Sequence, residues 1–139
     1  SMRRLSVKQQ ISLQLKAAKK IFATASKSNV ILDTHMFIRT PEGYMPGIPS
    51  WVGEILTPDA IVLLEADPED ISKRRTKDAA IRTREADSAA KVNEHQLLGR
   101  AGAAAVSVQT GCTVAVAENR EGAHLEAARV IADIFKRCE

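Results

Sequence analysis

Residues 30–49 read VILDTHMFIRTPEGYMPGIP, and the change of chemistry inside this stretch decides the fold class. The apolar run Val30, Ile31, Leu32 stops abruptly at Asp33-Thr34-His35. A short apolar run ending in ionisable groups predicts a buried strand with a carboxylate at its carboxyl end, where open α/β sheets place their ligands. Residues 39–49 then hold three prolines and two glycines, a composition that predicts a loop with fixed turns. Phosphate or metal chemistry suits such a strand end. The nucleotide enzymes that use it also need a phosphate loop, and the pattern G-x-x-x-x-G-K-[ST] occurs nowhere in these 139 residues.

Working outward, Ser6 and Gln9 form a capping box, after which Val7, Ile11, Leu15, Ala18 and Phe22 recur on one helical face. Ser50 is placed to cap a short helix through Leu56. Residues 60–65, AIVLLE, predict a second strand covered on both faces. Asp67-Pro68-Glu69-Asp70 predicts a helix start, with an N-cap, Pro at the first helical position and acids in the first turn. Asp87 is placed to cap a long helix that ends at Gly111. Residues 113–117 predict a third strand, followed by polar residues and a final amphipathic helix to about Lys136 with Ala127, Ile131, Ile134 and Phe135 inward. Alternating helices and buried strands predict a three-layer α/β fold, a parallel sheet with flanking helices. Polar segments that follow the strands then converge on one edge.

Length and composition fit a single soluble globular domain, residues 2–139, with Ser1-Met2 reading as a tag scar before a start Met. Aromatics are only 4%, so the core rests on Ile, Leu, Val and Ala. A net charge of +3 is no nucleic-acid signature, and no apolar run approaches a membrane span. Cys112 and Cys138 fit no metal spacing and read as reduced thiols of a cytoplasmic protein.

Asp33 is the first candidate for chemistry. A strand-end carboxylate holds Mg²⁺ through water, or else caps a turn, and position alone leaves the two readings level. His35 either touches a phosphate or hydrogen-bonds a loop carbonyl, the second being the commoner role of a lone histidine. Arg39 and the Thr40-Pro41-Glu42-Gly43-Tyr44 segment form a loop whose glycine lets backbone approach a ligand. An ordinary surface loop is the competing reading, weakened by the length and proline content of the connection. Arg74, Arg75, Arg82 and Arg84 are the strongest charge signal, with Arg100 on the next helix. Forked, permanently charged guanidinium groups suit a transferring phosphoryl group, although a charge run is more often a solvated face.

Taken in order, LDTH, I-R-T-P-E-G-Y-M-P-G-I-P-x-W-V, P-D-A-I-V, R-R, R-T-R and Glu94-His95-Gln96 resemble archaeal-type adenylate kinase over almost the whole chain. The resemblance implies a P-loop kinase-like fold that moves a phosphoryl group from Mg·ATP to AMP, giving two ADP. It places Asp33 near Mg²⁺ and the phosphates, with His35 beside it, and Arg39, Thr40, Gly43 and Tyr44 on the AMP side. Arg74 and Arg75 fall where a lid-like segment, about residues 74–88, begins, towards ATP. Arg82 and Arg84 match the paired arginines that clamp the transition state, and the Asn119-Arg120 loop approaches the ATP base. The family's first two strands, first helix and glycine-rich phosphate loop have no match in these residues.

The expected function is therefore adenylate kinase, with no turnover by this chain alone for want of a phosphate loop. The alternative is a nucleotide-binding or assembly fragment without catalysis. Family resemblance implies ATP, AMP and ADP as partners and a homo-oligomer that is a trimer; a complementing N-terminal segment is the alternative partner. An open strand edge also invites pairing with another chain.

Overall fold

The computed structural model describes residues 6–67, 85–120, 122 and 124–138, with backbone alone at residues 85–88. Helix α1 (Val7–Ala25) starts at the expected capping box: Ser6 Oγ accepts from the Gln9 N–H at 3.2 Å, and Gln9 Oε1 accepts from the Ser6 N–H at 2.9 Å. Such a cap contributes about 1 kcal/mol. The predicted apolar face is covered only at its middle, where Ala18 is buried, while Val7 and Phe22 remain exposed. Helix α2 (Ser50–Leu56) lies against α1, and Trp51 Nε1 donates to Gln14 Oε1 at 3.0 Å. Its N-cap is Pro49, with no side-chain cap bond, rather than Ser50. The proline ring fixes an extended entry and leaves Ser50 as the first helical residue.

The region that sets the fold class departs from expectation in two ways. Residues 30–32 form no strand, and Val30, Ile31 and Leu32 are 37%, 64% and 43% exposed. Strand geometry needs a neighbour for its N–H and C=O groups, and among the described residues none lies beside this segment. Residues 39–49 are not simply a loop. Strands β1 (Phe37–Thr40) and β2 (Gly43–Pro46) form an antiparallel hairpin, with Arg39 opposite Tyr44 and Thr40 opposite Gly43. Pro41 pre-sets the turn, and Gly43 closes it at φ +125°, a conformation that disfavours any side chain.

Strand β3 (Ala60–Glu65) pairs in parallel with β4 (Thr113–Glu118), in register from Ala60↔Thr113 to Glu65↔Glu118. This small parallel sheet with flanking helices is the expected α/β class. Full coverage of β3 is not observed, since Leu64 is 54% exposed. Two strands offer few neighbours, and no large side chain among the described residues is fully buried.

Helix α3 (Glu85–Thr110) is the spine, packing on β1, β3, β4 and α2. It begins two residues before Asp87 and ends before Gly111, whose φ of +81° suits the stop. Its small residues permit a close approach: Ala103 is buried, and a Cβ on Gly102 would stand 2.7 Å from Phe37 Cε2. Helix α4 (His124–Arg137) buries Ala127, half-buries Ile131, Ile134 and Phe135, and packs on β3 and β4. No described helix is long and apolar enough to cross a membrane. The predicted helix start at residues 67–70 lies outside the described residues from Pro68 onward.

Candidate functional site

Three consecutive residues of α3 gather the polar elements. On a helix, successive side chains point about 100° apart, so Glu94, His95 and Gln96 reach different neighbours. Glu94 Oε2 accepts from the Tyr44 hydroxyl at 3.4 Å. His95 stacks obliquely on the Tyr44 ring, centroids 5.2 Å apart, and its Nε2 donates to the Phe37 carbonyl at 2.8 Å. That carbonyl needs a donor from elsewhere, because Phe37 and Pro46 form a non-hydrogen-bonded pair of the hairpin, between the bonded positions at Met36–Gly47 and Ile38–Met45, and the Phe37 C=O points away from β2. Gln96 accepts from the Ala66 N–H and donates to the Ala66 carbonyl, both at 2.9 Å. The tripeptide thus ties the hairpin to the carboxyl end of β3.

Arg39 and Tyr44, directly opposite across the hairpin, share one face. Partial burial pushes the Tyr44 phenol above its ordinary range, the Glu94 carboxylate pushes it further by charge and by hydrogen bonding, and Arg39 pulls it part of the way back. Thr40 Oγ1 donates to the Gly43 carbonyl at 2.6 Å and closes the turn from within. Arg39 itself is exposed. His35 is exposed at the base of the hairpin, where its backbone carbonyl packs so closely on Gly47 that a Cβ there would clash.

At the sheet edge, Glu65 and Glu118 end paired strands side by side. Each carboxylate has its own arginine: Arg100 Nε donates to Glu65 Oε2 at 2.6 Å, and Arg120 lies 2.7 Å from Glu118. Asn119 continues the ladder, its N–H donating to the Glu65 carbonyl at 2.7 Å. Arg120 is therefore partnered by Glu118, the last residue of β4, two positions before it, on an exposed surface where such a pair exchanges readily.

The expected site residues fall into three groups. Arg39, Thr40, Gly43 and Tyr44 are brought together on the hairpin, and Asn119 and Arg120 stand at the end of β4. Asp33 is not at a strand end but in the exposed segment two residues before His35, for the reason that leaves residues 30–32 unpaired. Arg74, Arg75, Arg82 and Arg84 lie outside the described residues, as does most of the lid-like segment. No cluster of three metal-ligating side chains occurs among the described residues. Among the described residues the Asp33 carboxylate therefore suits an ion that brings its own waters and phosphates. Glu65 and Gln96 were not expected as site residues. The Glu94-His95-Gln96 text was visible, yet nothing local in it says which strands it would hold.

Comparison with known proteins gives a consistent result. A family model described as an AAA domain matches residues 1–93. Adenylate kinase from Methanopyrus kandleri is 45% identical over 91% of this chain and 67% of its own length. Adenylate kinases from Methanocaldococcus jannaschii and Thermoplasma acidophilum are 39% and 45% identical, each over 97% of this chain and 70% of their own length.

Proposed function

Because this chain belongs to the archaeal adenylate kinase family, we propose that it supplies the acceptor and arginine-bearing side of a phosphoryl transfer from Mg·ATP to AMP, giving two ADP. The observation that carries the reading is the Glu94-His95-Gln96 bracket, which fixes the Arg39–Tyr44 hairpin against the ligand edge of the sheet. Phosphoryl transfer is nearly all positioning and electrostatics, so geometry held by three adjacent side chains is the kind of asset that it needs.

In this reading the hairpin is the AMP side. Arg39 meets the AMP phosphate, while the backbone at Thr40 and Gly43 and the Tyr44 ring line the nucleoside. The Asn119-Arg120 loop faces the ATP base. His35 approaches a phosphate, and Asp33 touches the water shell of the magnesium that arrives with ATP. Arg74 and Arg75 face the ATP phosphates, and Arg82 and Arg84 neutralise charge that develops on the transferring group. Residues 2–139 act as one domain with residues 74–88 as its lid-like part, in the cytoplasm, as a homo-oligomer or with a complementing segment.

The cradle that a P-loop provides is absent from these residues, and losing even one stabilising donor typically costs about 10²–10³ in rate. A polypeptide of these 139 residues alone therefore forms no ADP from ATP and AMP above a blank. ADP production that disappears in an Arg84→Ala variant would overturn this. AMP binding is separate, and calorimetry without any heat at millimolar AMP would sink the assignment of the hairpin. A second reading, a nucleotide-binding or assembly fragment without catalysis, draws support from the exposed residues 30–32 and the thin core. Binding of AMP without turnover in any reconstituted mixture would favour it.

A further inference from the structure

Gln96 and Arg100 lie one helical turn apart on α3 and grip consecutive residues at the end of β3, Ala66 and Glu65. The Glu65 carbonyl faces β4, where it accepts from Asn119, so by strand alternation the N–H and C=O of Ala66 face the opposite edge, where no strand lies among the described residues. Both are satisfied by one side chain, at 2.9 Å each. A primary amide is suited to this, since it offers an acceptor and donors in one plane, as a neighbouring strand would. Glutamate would keep the acceptor and set a carboxylate against the Ala66 carbonyl. Methionine has similar length and neither function.

We propose that Gln96 is a positioning residue for the nucleotide-facing edge of the sheet: by standing in for a third strand at Ala66, it fixes the Glu65 carbonyl that in turn holds the Asn119 N–H. The chain of contacts is continuous, Gln96 to Ala66, the next residue Glu65 to Asn119 at 2.7 Å, with Arg100 fixing the Glu65 carboxylate. His95, the preceding residue, does the corresponding work for the hairpin at the Phe37 carbonyl. Adjacent positions on one helix thus set the separation of the two ligand-facing segments. The functional half of this inference rests on the reading of the Asn119-Arg120 loop as the ATP side.

The test is amide hydrogen exchange by NMR on the 139-residue chain, read at Ala66, Asn119 and Gly47, whose N–H bonds the Met36 carbonyl at the hairpin base. Gln96→Met speeds exchange at Ala66 and Asn119 by about tenfold and leaves Gly47 within about twofold, as the loss of a local hydrogen bond does. His95→Ala gives the reverse pattern. Gln96→Ala is the harsher variant, and the near-isosteric Met keeps the test valid if Ala fails to fold. Equal acceleration at all three amides in Gln96→Met, or none at Asn119, overturns the proposal.

A second readout follows shifts on titration with ATP and with AMP. Gln96→Met weakens ATP about fivefold or more and AMP less than about twofold, a split that general destabilisation does not produce. An unchanged ratio overturns the link to the nucleotide edge. If the unmodified chain binds neither nucleotide, the functional reading fails, and the exchange pattern alone then supports or overturns the role of Gln96 in holding the edge.

Discussion

The Tyr44 hydroxyl stands 3.4 Å from Glu94 Oε2, joining the second strand of the hairpin to the middle of α3. Sequence separates these residues by 50 positions, and the contact fixes the face of the hairpin that carries Arg39. A phenol between a carboxylate and a guanidinium is also a reporter. Tyr44 is the chain's single tyrosine, so its ionisation is readable without interference.

The phenolate absorbance of the chain titrates above the ordinary value of about 10. Glu94→Gln lowers the midpoint, and Arg39→Gln raises it further, because Glu94 disfavours and Arg39 favours the charged form. With the folded phenol above the unfolded one, its stabilising contribution is present below about pH 10 and is lost as pH rises through the folded value. Chemical denaturation on the two sides of that range, compared with Tyr44→Phe, shows this extra loss only in the parent. A midpoint at or below the ordinary value would contradict the Glu94 contact.

Two glycines of α3 predict opposite outcomes. Gly99 has open space where a Cβ would go, so Gly99→Ala stabilises by up to about 1 kcal/mol through helix propensity. At Gly102 a Cβ would stand 2.7 Å from the Phe37 ring, and a packed ring cannot give way as a flexible chain end can. Gly102→Ala therefore destabilises by about 1–2 kcal/mol despite the same propensity gain. Urea unfolding followed by the fluorescence of Trp51, the chain's single tryptophan, measures both.

Arg39 is exposed on the Tyr44 side of the hairpin and is the charge proposed to meet the AMP phosphate. Arg39→Ala weakens AMP by about tenfold or more, the usual range for a charge-assisted hydrogen bond, while leaving the unfolding midpoint nearly unchanged. Arg39→Lys restores only part of the affinity, because an ammonium cannot make the forked contact. Calorimetry with equal affinities for the three proteins would remove Arg39 from the site.

Residues 30–32 expose three apolar side chains on a segment that has no strand partner among the described residues, where β3 and β4 are also both edge strands. Exposed apolar strand-formers beside open edges promote association. Light scattering at high concentration gives a mass above that of a 15.1 kDa monomer, and Ile31→Lys lowers it. A monomer at all concentrations would count against this use of the segment.

Much of this protein is local and therefore legible in order. The capping box at Ser6 and Gln9, the AIVLLE strand, the long glycine- and alanine-bearing helix and its stop before Gly111 each depend on residues a few positions apart. Family membership was legible in the same way, because motif order survives without coordinates. Residues 30–32 show the limit. Their apolar run has the chemistry of a strand, but a strand exists only when another backbone lies beside it, and no local pattern contains that neighbour. The hairpin at residues 37–46 fails from the other direction: its prolines and glycines read as loop, whereas the turn they build lets the flanking residues pair.

By itself the sequence determined the α/β class, most helix and strand positions and the set of charged residues available for phosphate chemistry, since these follow from spacing and side-chain type. Only the tertiary structure decided which of them meet. It set Arg39 opposite Tyr44, brought Glu94 and His95 to the hairpin, and closed Gln96 on Ala66. Those contacts depend on how α3 crosses the sheet and on which backbone groups its packing leaves unpaired, a property of the whole assembly that no short stretch of chain encodes.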